Sequence, residues 1–291
     1  MWAAPLIELL RRSRRAAFSV PALALAIFQL SACALTVSAP PGPIAGTPAA
    51  ATSATALLTT LADRERALHS LQTGAIMEYS AADGHHFRTH EQIALERPAN
   101  MRVEALSPFG ASMVLAADDA GRLMIFDPSK NVLMSGGASA ATLERYVRIP
   151  MAPAAAVSLL MGLTPDPTQL GTAPGSVSDT DGMTVALWRL ADGGTRELGF
   201  TAGELAMVRE RDSAGNQRYL VRYSDWRDAG GTDFPHKVEA DFPASRITLR
   251  YDAPALNTTL NAALFVLTPA PGTKQISIDA GAARVAPGAA G

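Results

Sequence analysis

The sequence predicts a mainly β chain of α+β type: one wide, curved antiparallel sheet of about eleven strands, with two or three helices in its concavity. Three observations carry this. From residue 73 onward, short alternating apolar runs recur between Gly-, Asp- and Pro-rich turn signals. These runs form two sets of about six, separated at 139–162 by a stretch of helical periodicity. No internal repeat with a period of roughly 20 to 50 residues is evident among them.

Taken in order, residues 1–32 read as a targeting segment. "RRSRR" (11–15) is a basic region, "AAFSVPALALAIFQL" (16–30) an apolar one, and "LSAC" (30–33) ends it. The tetrapeptide fits the bacterial lipobox, in which an aliphatic residue and two small ones precede a cysteine that is acylated before cleavage. Cys33 is the only cysteine of the 291 residues, so no internal disulfide can form. Its position makes it the expected lipidation site and the first residue of the mature chain. An uncleaved anchor is the alternative, because 16–35 nearly suffices to span a bilayer; a simple cleaved signal is another. "SRRAAF" (13–18) matches a twin-arginine signal only imperfectly. Acyl chains, at about 0.8 kcal/mol per buried methylene, would hold the mature protein on a membrane almost permanently.

Residues 33–55 then form the acylated cysteine and a tether, uncharged and rich in Pro, Ala, Ser and Thr. An amphipathic helix is expected at about 56–71, with Leu57, Leu61, Leu68 and Leu71 on its apolar side and "DRER" (63–66) towards water. Strands follow at 73–80, 86–97, 101–106, 111–117, 121–127 and 131–135. Helices at 139–147 and 153–162 come next, the second opened by Pro153 and stopped by Gly162. A Pro-, Gly- and Thr-rich loop (164–181) leads to strands at 183–190, 195–201, 204–211, 217–227, 235–242 and 246–252. "HKVEADF" (236–242) and "RITLRY" (246–251) alternate cleanly, which puts Val238, Ala240, Phe242, Ile247, Leu249 and Tyr251 on one face. "LMIF" (123–126) is apolar on both faces, so there the sheet must be covered twice or line a dry cavity. Residues 253–291 form an extension with one further strand near 275–279 and a disordered tail.

Composition narrows the function. Removing Arg11, Arg12, Arg14, Arg15 and Glu8 with the targeting segment takes 25 basic and 27 acidic residues to 21 and 26, a net of −5. With only three lysines (Lys130, Lys237, Lys274), such a domain is a poor nucleic-acid binder, and that class is excluded. His85, His86 and His90 suggest a metal cluster, but a strand sets His86 and His90 about 13 Å apart and turns His85 away. Ligands to one ion sit at about 2 Å, so no metal site is expected. "GGASA" (136–140) lacks the final glycine of a nucleophile elbow, no phosphate-cradling loop occurs, and "DTDG" (179–182) lacks the rest of a calcium loop. No catalytic residues, cofactor or enzymatic activity are expected.

"SPFGAS" (107–112) poses a different question. Pro108 and Gly110 suit a turn, yet Phe109 puts a large aromatic where a polar tip is usual.

The stretch "LERPANMRVEALSPFGASMVLAADDAGRLMIFDP", followed by "RIPMAPAAAVSLLMGLTPDP", resembles the LolA- and LolB-like lipid-binding half-barrels, with the lipobox favouring the outer-membrane LolB branch. The resemblance spans about 56–252 and rests on the P-x-G turn at 108–110 and the I-P-x-x-P…L-L-x-G-L run at 149–163. It implies an antiparallel half-barrel whose helices form a lid over an apolar cavity for acyl chains. The residues expected to line that cavity are Leu123, Ile125, Phe126, Leu159, Leu160, Leu187 and Trp188. It also implies a monomer that receives lipoproteins from a LolA-like periplasmic carrier and inserts them into the inner leaflet of the outer membrane. Ala34, standing where an Asp causes inner-membrane retention, agrees with the outer membrane by analogy. In that family the P-x-G turn (Pro108, Phe109, Gly110 here) presents an apolar residue to the membrane, although Phe109 would equally fit folding back over the barrel mouth. The alternative is an adaptor or structural envelope lipoprotein that binds a protein partner or another lipid.

Overall fold

The computed structural model describes residues 47–48, 51–106, 113–117, 121–171 and 174–279, with side chains described from 56 onward. All the strands among them join one open, curved sheet of fifteen strands, fourteen of them four residues or longer. Three α-helices accompany it: α1 (Ala51–Ala67), α2 (Ala140–Val147) and α3 (Pro153–Leu160). The chain starts in the middle of the sheet and works outward through β2 (Ser70–Ala81), β3 (His86–Glu96), β4 (Asn100–Leu106), β5 (Met113–Ala117), β6 (Arg122–Asp127) and β7 (Val132–Gly137). Helices α2 and α3 then carry it to the other side. There β8 (Ser176–Thr180), β9 (Met183–Arg189), β10 (Thr195–Thr201), β11 (Glu204–Arg211), β12 (Gln217–Asp228), β13 (Asp233–Phe242) and β14 (Ser245–Leu256) return to the centre. The circuit closes where β14 pairs antiparallel with β2, Leu249 opposite Met77 and Tyr251 opposite Ala75. β1 (Thr47–Pro48) is a two-residue addition beside β8.

This topology explains why the helices sit where they do. A chain leaving the β7 side must cross the sheet to start β8, and the short path runs over one face. Helix α2 begins with a reciprocal cap, in which the Ser139 hydroxyl accepts from Thr142 N and the Thr142 hydroxyl accepts from Ser139 N. Helix α3 begins at Pro153, whose missing N–H costs nothing in a first turn. It ends through Gly162, at φ 69°, with Leu163 N donating to Ser158 O at 2.9 Å. An added Cβ at Gly162 would stand 3.1 Å from Pro235 Cγ, so glycine is required there on both counts. One apolar cluster joins Leu61 of α1, Leu143 of α2 and Ala156, Val157 and Leu159 of α3 to inward residues of both halves of the sheet. All three helices therefore cover the same, inner face.

Several expectations need correction. The sheet has more than the expected eleven or so strands, chiefly because the loop 164–181 contains β8, which its polar sequence "SVSDT" does not advertise. The sheet is mixed rather than antiparallel throughout, because β15 (Lys274–Ser277) runs parallel to β7. Helix α1 ends at Ala67, so Leu68 and Leu71 reach the core from the turn and from β2 instead of from the helix.

The extension contributes to the domain through residue 279. At its start, Asn257 accepts from His69 N at 2.8 Å and donates to Ala67 O at 2.7 Å. It crosses the outer face, where Arg102 donates to Leu264 O, Phe265 is 1% exposed, and Leu267 packs on a small cluster of Ala116, Met124 and Leu133. Strand β15 then covers the β7 edge, which would otherwise present unpaired backbone groups. Ile278 turns back into the main core, and Asp279 accepts from Gly137 N. The two apolar faces of "LMIF" are thus both used: Leu123 and Ile125 face the helices, and Met124 faces the extension.

Candidate functional site

The inner face is lined by strand positions two apart, as the pleat requires. Ile93 and Leu95 of β3, Leu123 and Ile125 of β6, Trp188 of β9, and Val238 and Leu249 nearer the centre all join the one cluster. Of the seven residues expected to line a cavity, the structure brings Leu123, Ile125, Leu159, Leu160 and Trp188 together in it. Leu187 and Phe126 do not join them. Leu187 alternates with the buried Trp188 and so points outward, half-buried, while Phe126 packs on the outer cluster with Met124. Cys33 and the turn Pro108–Phe109–Gly110 lie outside the described residues, as does the tail beyond 279.

What holds the helices down is polar. Tyr223 of β12 donates to Leu159 O at 2.9 Å, and Tyr251 of β14 donates to Leu160 O at 2.8 Å. These are the last carbonyls of α3, beyond the helix's i+4 donors, although Leu159 O also accepts from Gly162 N at 3.1 Å. Burial holds both phenols well above the usual tyrosine range, so they remain hydroxyl donors at any ordinary pH. Arg64 of α1 reaches the same corner: Nε donates to Gly162 O at 3.1 Å, one terminal nitrogen donates to Asp233 O, and its guanidinium lies 4.7 Å over the Trp226 ring. Next to them Arg196, 3% exposed, forks onto Glu210 at 2.8 and 3.1 Å and donates to the carbonyls of Pro165 and Asp166 in the loop after α3. Burial alone would raise Glu210, but hydrogen bonds from Tyr219 and Arg196 hold it below the usual carboxylate range. The cluster is a paired, charged fastening for the loop and not a reactive site.

One inward carboxyl of the sheet is not fully fastened. Glu91 of β3 is 1% exposed, and its Oε1 accepts from the Thr89 hydroxyl. Its Oε2 is buried with no hydrogen-bond partner. Burial raises its pKa to about 7, offset only in part by the Thr89 hydrogen bond. The sequence reading passed over Glu91, although its signal was there: Phe87, Thr89, Glu91, Ile93 and Leu95 share one parity, which puts a carboxyl on the apolar side. Tyr223 and Tyr251 were missed as fastenings because strand periodicity sees only their apolar character. Arg64 was missed because "DRER" was expected to face water, whereas its side chain turns in against Gly162, Asp233 and Trp226. Among the described residues, no group of His, Cys, Asp and Glu could hold a metal ion. No described helix is long and apolar enough to cross a membrane.

Comparisons with known proteins agree on the fold. No protein-family model matches the sequence, and no curated protein matches it. Among solved structures, a LolA superfamily protein from Nitrosomonas europaea superposes with a TM-score of 0.51 at 13% identity, covering 72% of this chain and 97% of that one. A domain provisionally named as an outer membrane lipoprotein-sorting protein, from Vibrio parahaemolyticus, gives 0.53 at 9% identity, covering 74% and 97%. A DUF1329 family protein from Desulfovibrio piger gives 0.52 at 9%, covering 72% and 96%. The fold is therefore that of the LolA-like structures: an open sheet with helices laid over its inner face.

Proposed function

We propose that this protein binds acyl chains between the inner face of its sheet and helices α1 to α3. It acts as a lipid-anchored, non-enzymatic receptor that accepts lipoproteins from a LolA-like periplasmic carrier and passes them into the outer membrane. The observation that carries the reading is the way α3 is held. Its apolar underside packs on the sheet, while its end is fastened by side-chain hydrogen bonds to Leu159, Leu160 and Gly162. A cover held by a few polar contacts over apolar surface can lift without unfolding the sheet beneath it. An acyl chain entering below would gain about 0.8 kcal/mol per buried methylene, replacing the apolar contacts the helix gives up. Acylation at Cys33 would anchor the protein, and the Pro108–Phe109–Gly110 turn would carry cargo to the bilayer. The Vibrio structure's name, an outer membrane lipoprotein-sorting domain, supports lipoprotein handling, and the Nitrosomonas structure's name supports a LolA-type fold. The test is a fluorescent fatty-acyl probe titrated into the protein and displaced by a lipopeptide. Saturable, displaceable binding at micromolar probe supports the reading, and absence of binding removes it.

A protein-binding reading has one observation of its own. Ile276 on β15 and Val266 are the described large apolar side chains left exposed, both at 39%, and both lie in the extension. A stable protein partner isolated without lipid would favour it.

A further inference from the structure

The acyl-binding reading leaves Glu91 unexplained, and a buried carboxyl with a free oxygen is expensive enough to need a reason. Its position is well defined. Register places Tyr251, Ala75, Glu91, Ala105 and Met113 in one row across β14, β2, β3, β4 and β5. Two alanines flank the carboxyl, so no long side chain crowds it from the adjoining strands. The hydroxyl of Tyr251, in the same row, holds the C-terminus of α3, and α3 also packs against β4. Three strand spacings of about 4.8 Å separate β14 from β4, close to the roughly 12 Å length of an eight-residue helix. Glu91 therefore sits on the inner face between β14 and β4, the two strands that α3 reaches.

Its chemistry points one way. The groups facing it cannot neutralise a charge: Tyr79 and Tyr251 are the titratable residues on the inner faces of β2 and β14, and α3 ("PAAAVSLL") carries none. The inward residues of β4 are Met101, Val103 and Ala105. Thr89 donates to Oε1, which makes Oε1 an acceptor and puts the proton of the neutral acid on Oε2. The free oxygen is then a buried O–H donor lacking an acceptor.

We propose that Glu91 is the polar anchor of the acyl site, donating from Oε2–H to the ester or amide carbonyl of an acylated ligand held beneath α3. This rests on the acyl-binding reading above and adds a specificity to it: acyl esters and amides are preferred over bare hydrocarbon. Binding is also proton-linked. Ionisation removes the donor and sets a carboxylate against a carbonyl oxygen, so affinity falls as pH rises through the Glu91 titration. For a ligand that binds the acid alone, raising pH from about 5.5 to about 8.5 weakens binding roughly thirtyfold.

The experiment titrates the full chain with two pyrene-tagged hexadecyl probes, one a methyl ester and one the matching hydrocarbon, at both pH values. Wild type should lose roughly thirtyfold in ester affinity at the higher pH while hydrocarbon affinity stays constant. Glu91→Gln, whose amide N–H still donates, should bind the ester equally at both pH values. Glu91→Leu should bind ester and hydrocarbon alike, with thermal melts confirming that each variant folds. Wild-type ester binding that changes less than about threefold, within the error usual for such linkage, overturns the proposal. So does a Glu91→Leu variant that keeps the ester preference. If neither probe binds wild type at either pH, the acyl-binding reading itself fails, a result distinct from binding without proton linkage.

Discussion

Removing the two tyrosine hydroxyls that hold α3 should loosen the cover without disturbing the sheet. In Tyr251→Phe the ring stays and only the donor to Leu160 O is lost; among the described residues nothing else reaches that carbonyl. An acceptor left buried and unpaired costs about 2 kcal/mol. Tyr223→Phe should cost less, about 1 kcal/mol, because Leu159 O still accepts from Gly162 N at 3.1 Å. The carbonyls are adjacent, so the double variant need not sum, but roughly 3 kcal/mol is the expected scale. If that energy opposes lifting of α3, the open population rises on the order of a hundredfold. Urea unfolding gives the stability, and stopped-flow dissociation of an acyl probe gives the opening. The expected result is a melting temperature lowered by about 2–4 °C for each kcal/mol, with faster probe release in the order double, Tyr251→Phe, Tyr223→Phe. Variants that lose stability while probe release stays at the wild-type rate would refute the idea that these hydroxyls hold a movable cover.

Glu91 also makes a stability prediction independent of any ligand. The unfolded chain loses this proton near pH 4.5 and the folded one near pH 7, so the folded state binds more protons between them and stability falls as pH rises through that window. The full effect is about 3 kcal/mol, reached above pH 7. Glu91→Gln should lack that fall, so its stability relative to wild type should rise between about pH 5 and pH 8 in urea melts; parallel curves would contradict the assignment. At the turn, Phe109→Glu should melt like wild type yet transfer cargo poorly to liposomes, because a carboxylate replaces an apolar side chain at the interface, while Phe109→Leu should transfer normally. A Glu variant that melts lower and loses transfer in proportion would mark Phe109 instead as a cover for the barrel mouth.

Strand-by-strand organisation was legible in the sequence because one face of each strand is apolar. The alternation of "HKVEADF" and "RITLRY" put Val238, Phe242, Ile247, Leu249 and Tyr251 in the core, where the structure has them. The ends of α3 were legible because Pro153 and Gly162 act through backbone geometry alone. β8 was not, since "SVSDT" has a single apolar residue, Val177, and is placed mainly by pairing with β9. The route of the extension was equally hidden: Phe265, Leu267 and Ile278 are isolated apolar residues, and only the folded sheet supplies the surfaces they cover. The two-faced run "LMIF" signalled that a second cover existed but not that residues 262–267 provide it. Assigning Phe126 and Leu187 to the lining went wrong for a simple reason, since neighbours in a strand cannot both face inward.

The most direct test of the account is mass spectrometry of what co-purifies with the full chain carrying Cys33→Ala, which removes the proposed acylation site and leaves the domain unchanged. The account predicts that native spectra show the protein with one acylated molecule, released when the protein is denatured and lost from the spectrum when a lipopeptide competes. A chain that emerges free of lipid from membranes rich in it, and remains free after incubation with acylated peptide, would contradict the central claim.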